Sequence, residues 1–130
     1  MDFSLTEEQQ AIREAFRRFV DDKVVPRAGE IDRAAVFPRE EFRAVGNLGF
    51  FGMRYPEEVG GSAQDVVSYC LAVEELARGS LSVAAACTMQ SLMGTYFLFR
   101  SGDDGIRDEF LRPALAGERV GTICFTEPGA

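Results

Sequence analysis

A run of twenty residues without a charged side chain, Ser80–Phe99, sets the strongest limit on how this chain can fold. About 20 apolar residues suffice to cross a bilayer, but serines, threonines, a glutamine and a glycine lower the hydrophobicity of this run. A helix that is apolar nearly all round is more often the centre of a bundle. We therefore predict a buried core helix here, and no membrane span.

Helix signals in the first half of the sequence predict a mainly α fold. Thr6 and Gln9 have the spacing of a capping box at the start of a first helix, which Pro26 is expected to end. The polar stretch Arg27–Val36 is predicted to be mainly loop. Asp65 is placed to cap a later helix. Between these signals, apolar residues recur at the helical period, which indicates a helical bundle.

The pattern changes after Gly117. Val120–Thr126 is rich in β-branched and aromatic residues, a composition typical of a strand. We therefore divide the chain into a helical domain, residues 1–118, and the start of a β domain, residues 119–130. A single apolar strand has no partner within such a chain, so we expect the sequence to continue into a larger protein.

Composition and charge exclude several classes of function. Fourteen basic against twenty-one acidic residues give a net charge of −7, and no local basic patch offsets it, so nucleic acid is not an expected partner. Histidine is absent, and Cys70, Cys87 and Cys124 lie far apart, so no metal site is expected. We expect buried, reduced thiols in a cytoplasmic protein, because the start of the chain, Met1–Ser4, shows no signal peptide.

Judged from the residues alone, the catalytic inventory is small. Glu74 and Glu75 are adjacent on a predicted helix, where neighbouring side chains point about 100° apart and cannot share a proton. We expect one of them to face solvent and the other a nearby arginine. A non-catalytic helical interaction module is therefore one open reading of the chain.

The order of several short motifs resembles that of one family, the flavin-dependent acyl-CoA dehydrogenases. Each motif alone is weak, but together they follow one another in the family's order along the whole chain. The last, Cys124–Ala130, is similar to the family's TEPGAGSD motif and stops before its final GSD. The others are Phe3–Gln9, Gly46–Gly52, Tyr55–Ser62, Val73–Ala77 and Leu111–Glu118.

This resemblance implies a three-domain, FAD-dependent enzyme of which the chain is the N-terminal helical domain plus the first strand of the middle domain. Such enzymes oxidise an acyl-CoA thioester at Cα–Cβ to the trans-2-enoyl-CoA. A glutamate outside this chain would take the α proton, and flavin N5 would receive the hydride. The resemblance further implies a homotetramer and an electron-transfer flavoprotein as partner. No catalytic residue falls in this chain, so alone it is expected to be inactive.

The resemblance also implies contacts between the end of the chain and the cofactor. Thr126 matches a threonine whose hydroxyl and backbone lie near flavin N5 and O4. Phe125 takes an apolar place beside the flavin and the thioester, and Ile123 one often held by an aromatic residue. The predicted cofactor-binding residues are Ile123, Cys124, Phe125 and Thr126.

By the same resemblance, the uncharged helix corresponds to the element that closes the blind end of the acyl pocket. Its predicted substrate-binding residues are Met89, Gln90, Met93 and Tyr96. Two further readings stay open beside the dehydrogenase: an acyl-CoA oxidase or related flavin enzyme of the same fold, and the non-catalytic helical module.

Overall fold

The computed structural model describes residues 3–129 and, in that range, contains helices and turns but no β-strand. The mainly α prediction is thus confirmed. Met1, Asp2 and Ala130, at the outer ends of the two predicted domains, lie outside the described residues. The helices are α1 (Glu7–Phe19), α2 (Val25–Ala34), α3 (Arg39–Asn47), α4 (Val66–Gly79), α5 (Leu81–Met89), α6 (Tyr96–Ser101), α7 (Asp104–Ile106) and α8 (Arg112–Leu115); π-helical turns π1 (Val20–Val24), π2 (Gln90–Gly94) and π3 (Arg107–Leu111) lie between them, and 3₁₀ turns span Phe50–Gly52 and Glu57–Val59.

Both predicted N-caps are present. The Thr6 hydroxyl accepts a hydrogen bond from the Gln9 amide, and the Gln9 side chain accepts one from the Thr6 amide, each at 3.1 Å. At the start of α4, the Asp65 carboxylate accepts from the amides of Val67 and Ser68 at 2.7 and 3.0 Å. These bonds satisfy amides that have no partner within the first turn of a helix.

We expect the Asp65 cap to make stability depend on acid pH. Hydrogen bonds from Ser68 hold the pKa of Asp65 below its ordinary value of 3.8, so its stabilisation is complete above that pH and is lost as pH falls through the lowered pKa. Asp65→Asn keeps a capping side chain but cannot titrate. The urea midpoint of the wild type should be higher than that of Asp65→Asn at neutral pH. The two midpoints should approach each other as the pH falls. A difference that stays constant with pH would contradict this.

The prediction that Pro26 ends the first helix is wrong. The chain passes from α1 through π1 into α2, with Pro26 in the first turn of α2. In π1 the Val25 amide bonds to the Val20 carbonyl, five residues back. Proline is tolerated in a first turn, where its missing N–H is not needed, so the predicted loop Arg27–Val36 is helical as far as Ala34.

Aromatic rings form the centre of the core, where α1, α3 and α4 meet the turn at Phe50–Gly52. The Phe50 ring lies edge-on to the Phe16 ring, with 5.8 Å between their centroids, and stacks on the Tyr69 ring at a centroid distance of 5.2 Å. The centroids of the Phe51 and Phe42 rings are 4.6 Å apart. All five rings are buried. Burial of such large apolar side chains is the main favourable term that holds the helices together.

The two adjacent glutamates of α4 divide as predicted. Glu74 is exposed, whereas Glu75 is buried and its carboxylate meets Arg78 Nε at 2.7 Å and Arg17 Nε at 3.5 Å. A buried carboxylate needs such partners because it loses its hydration. Glu75 thus has a structural role in joining α1 to α4.

The uncharged run is only partly buried. One face of α5 and π2 enters the core through Val83, Cys87 and Gln90, while Met89 and Met93 are exposed. By length and composition alone, Leu81–Arg100 could cross a membrane, and a third of its most apolar stretch is buried. The predicted core helix therefore has a second, apolar face that the described residues leave open.

The predicted strand at the end of the chain stays a prediction. Residues 120–127 run without regular structure, and among the described residues no second strand lies beside them. A strand requires a neighbour to complete its hydrogen bonds.

Candidate functional site

One buried side chain fixes the segment that leads into the predicted cofactor contacts. Gln90 is 1% exposed, and its Nε2 donates to the carbonyls of Ala114 and Arg119, both at 2.9 Å. Its Oε1 accepts from the Gly121 amide at 2.6 Å. The amide group of Gln90 is thus engaged at both ends, which holds the end of α8 and the following segment against π2.

Two glycines make this close packing possible. A Cβ atom on Gly94 would lie 2.5 Å from the Gly121 carbonyl oxygen, and one on Gly121 would lie 2.6 Å from that of Gly94. Since Cβ atoms do not approach backbone oxygens so closely, both positions require glycine. The two backbones therefore touch where π2 meets the segment toward residue 122.

The predicted substrate residues divide into two groups. Met89, Met93 and Tyr96 are each a little under half exposed, whereas Gln90 points into the core. Contact between Gln90 and an acyl chain stays a prediction, but the structure gives its side chain a positioning role. Met93 also lines an apolar groove of about 280 Å³ between α6 and residues 119–122, with Phe97 and Phe110 among its walls.

The predicted cofactor residues lie together at the end of this fixed segment. Ile123 is half-buried, Cys124 and Thr126 are exposed, and the Phe125 ring is 74% exposed. Within residues 3–129, the Thr126 hydroxyl and the amides of Ile123–Thr126 form no hydrogen bond. Free donors beside an exposed aromatic ring suit the edge and face of a flavin, so these residues fit the group that they are predicted to contact.

A further cavity of about 280 Å³, the Arg54 cavity, was missed by the sequence reasoning. Arg54 interrupts an otherwise apolar stretch, Phe50–Tyr55, and this interruption is the signal that could have found it. The cavity opens between the loop at Arg54 and the end of the uncharged helix. Its lining residues are Arg54, Tyr55, Ser91, Leu92, Tyr96 and Phe99.

Hydroxyl groups anchor the inner wall of this cavity to π2. The Thr95 hydroxyl donates to the Gln90 carbonyl at 2.9 Å, and the Tyr55 hydroxyl lies 2.8 Å from Thr95 Oγ1. Burial raises the pKa of Tyr55, against the opposing effect of its Thr95 hydrogen bond. The phenol is therefore neutral at physiological pH and can act as a donor.

The cysteines differ in environment, and only one fits the expectation of buried thiols. Cys87 is buried, and burial raises the pKa of its thiol to about 12, so the thiol is unreactive near neutral pH. Cys70 and Cys124 are exposed. In the part of the chain that the structure describes, no group of three His, Cys, Asp or Glu side chains could hold a metal ion.

Comparisons with known proteins agree with the motifs. Residues 6–118 match the model of the acyl-CoA dehydrogenase N-terminal domain. The chain is 54% identical over its whole length to benzylmalonyl-CoA dehydrogenase of Aromatoleum aromaticum, of which it covers 34%. It therefore spans about a third of the length of the curated relatives that it matches.

Solved structures show the same fold. Glutaryl-coenzyme A dehydrogenase in its glutaryl-CoA complex matches all of this chain with a TM-score of 0.91 and 35% identity over 34% of its own chain. A chain from the structure described as the electron transferring flavoprotein of Acidaminococcus fermentans matches with a TM-score of 0.91, 34% identity and the same coverage. The chain therefore belongs to the acyl-CoA dehydrogenase family, and residues 6–118 form the N-terminal helical domain of that family.

Proposed function

We propose that this chain is the N-terminal part of an FAD-dependent enzyme that oxidises acyl-CoA thioesters at Cα–Cβ to the trans-2-enoyl-CoA. One arrangement carries the proposal, in which two surfaces are joined by Gln90. Gln90 fixes a segment whose end exposes free hydrogen-bond donors, and the uncharged helix that contains Gln90 exposes an apolar face. The first surface suits a flavin and the second an acyl chain. Membership of the family adds FAD as the cofactor.

The residues of this chain would position the reactants and leave the chemistry to other groups. When bound, FAD supplies the acceptor for the hydride. Thr126 would donate a hydrogen bond to the flavin edge, and Phe125 would shield the ring and the thioester from water. The α proton would go to a glutamate beyond the 130 residues, because this sequence offers no residue that matches the family's base.

The exposed apolar residues of the uncharged helix would contact the acyl group. Met89, Met93 and Tyr96 present two flexible thioethers and a ring, which suit an acyl chain or an aromatic substituent. The names of two relatives, benzylmalonyl-CoA and glutaryl-CoA dehydrogenase, denote acyl groups with a second carboxylate. Substrates of that kind belong in the first assays.

Partners and location are part of the same proposal. We propose that the full-length protein is a cytoplasmic homotetramer that passes electrons to an electron-transfer flavoprotein. The similarity to a chain in the electron transferring flavoprotein structure supports that partner. The exposed apolar residues of α6, Tyr96 and Phe97, are consistent with contact to further domains or subunits.

The test is anaerobic reduction of the purified full-length flavoprotein. We expect benzylmalonyl-CoA, glutaryl-CoA or a straight-chain acyl-CoA to bleach the oxidised flavin absorbance and to form the enoyl product. Turnover with an artificial electron acceptor but not with oxygen would identify a dehydrogenase, and rapid peroxide formation an oxidase. A protein that holds no flavin and reduces none with any of these thioesters would overturn the proposal and favour the helical module.

A further inference from the structure

The Arg54 cavity contains hydrogen-bond donors that the fold itself does not use. Ser91 is 2% exposed, lines the cavity, and has no hydrogen-bond partner for its Oγ atom among the described residues. The Tyr69 hydroxyl lies outside the cavity lining; it too is buried without a hydrogen bond of normal geometry among the described residues, but it is close enough to the hydroxyls of Ser91 and Thr88 for them to lower its pKa. A buried hydroxyl without a well-formed hydrogen bond costs free energy, so Ser91, which lines the cavity, can gain from an acceptor bound there.

A cation lines the same cavity as Ser91. The Arg54 guanidinium lies over the Tyr69 ring at 5.7 Å from its centroid. Burial raises the pKa of Tyr69, while the hydroxyls of Ser91 and Thr88 and the charge of Arg54 oppose this rise. Within residues 3–129, no carboxylate lies close enough to Arg54 to form a salt bridge.

The donors in the cavity walls define the chemistry of a ligand that would suit them. An ionised carboxylate only accepts hydrogen bonds, and a guanidinium and a hydroxyl in the walls of one cavity offer it donors and the opposite charge. The remaining walls, including Leu92 and Phe99, are apolar and suit a carbon chain or ring. A free inorganic anion would leave these walls without a partner, so the ligand should be both apolar and anionic.

Tyr96 belongs both to the cavity lining and to the predicted acyl surface, so the cavity borders that surface. We propose that Arg54 and Ser91 bind the free carboxylate of an acyl thioester that carries a second carboxyl group. This inference rests on the proposed function and deepens it. It assigns the choice between a carboxylated and an uncharged acyl group to two residues outside the predicted cofactor and substrate sets.

The test compares matched thioesters in the full-length flavoprotein. Glutaryl-CoA pairs with pentanoyl-CoA, and benzylmalonyl-CoA with the thioester in which methyl replaces its free carboxylate. For Arg54→Met we expect KM for the carboxylated member to rise about tenfold or more, and KM for the uncharged member to change less than about twofold. Arg39→Met is the matched control, because Arg39 lies over the Phe37 ring at the same 5.7 Å but outside this cavity.

Ser91→Ala separates binding from structure. Since Ser91 Oγ forms no hydrogen bond of normal geometry among the described residues, its removal should leave the urea midpoint of the unliganded protein unchanged or raised. It should still weaken binding of the carboxylated thioester, by about threefold or more in a calorimetric titration. A lower midpoint together with unchanged binding would overturn the role of Ser91.

The outcomes also separate this inference from the function on which it rests. Wild-type protein that oxidises no member of either pair would overturn both proposals. Wild-type protein that oxidises thioesters, with Arg54→Met affecting both members of a pair equally or neither, would overturn this inference and leave the proposed function standing.

Discussion

Gln90→Leu is expected to lower the free energy of unfolding by about 3 kcal/mol. The substitution removes three hydrogen bonds and leaves the carbonyls of Ala114 and Arg119 and the amide of Gly121 without their partner. Each buried polar group left unsatisfied costs about 1–3 kcal/mol. Leucine is of similar size, so the loss reports the hydrogen bonds more than the packing. Urea denaturation measures the global effect.

Hydrogen exchange measures the local effect of the same variant. The Gly121 amide lies outside any helix, yet its bond to Gln90 should protect it in the wild type and not in Gln90→Leu. Gln10→Leu is the matched control, because Gln10 is exposed and its side chain makes one hydrogen bond, from Nε2 to the Leu5 carbonyl. We expect it to change stability by less than about 0.5 kcal/mol. Equal effects of the two variants would show that Gln90 does not hold this segment.

Gly61→Ala is expected to destabilise the protein by about 3 kcal/mol through a backbone clash. A Cβ atom there would collide with the Tyr55 carbonyl and lie 2.7 Å from the Gly52 carbonyl oxygen. Neither oxygen can move freely, because the Tyr55 carbonyl accepts from Ala63 at 2.9 Å and that of Gly52 from Ser62 at 3.0 Å. This loop also carries Arg54, so the variant should weaken binding of carboxylated thioesters as well.

The neighbouring glycine provides the control, because it is required for a different reason. Gly60 has φ of +92° but open space around its Cβ position, where the nearest atom is an Arg112 side-chain nitrogen at 3.7 Å. Gly60→Ala should therefore cost only the left-handed strain, about 1 kcal/mol. Thermal unfolding of both variants checks the order, and a smaller loss for Gly61→Ala than for Gly60→Ala would show that the loop relaxes around the added methyl group.

Features set by neighbouring residues could be predicted from the sequence. The Thr6–Gln9 capping box and the Asp65 cap lie where they were expected, because each depends on residues only two or three positions apart. A glycine directly after a helical pattern is a signal for a C-terminal cap, and Gly49, which follows α3, adopts φ of +87°. The mainly α class follows from such signals together with the helical period.

Features set by distant contacts could not be predicted. Gln90 stands in an apolar helix and was assigned to the acyl pocket, but its partners lie 24 to 31 residues away and nothing local announces them. Pro26 was expected to end a helix, because a π turn ahead of a proline has no sequence signature that we could use. The Arg54 cavity depends on the approach of the loop at Tyr55 to π2, again a long-range contact.

The three π turns also bear on how chains of this kind can change in length. A π turn holds one residue more than the α-helical turn it replaces. The side chains of the helices on either side keep the directions that they would have without the extra residue. Loss of one residue within Gln90–Gly94 would restore α-helical geometry and leave α5 and α6 oriented as they are. The same deletion inside α6 would rotate every later side chain of that helix by about 100°. Single-residue gaps between relatives therefore belong in the π turns, and an alignment that places them elsewhere would assign Tyr96 and Phe97 to the wrong face.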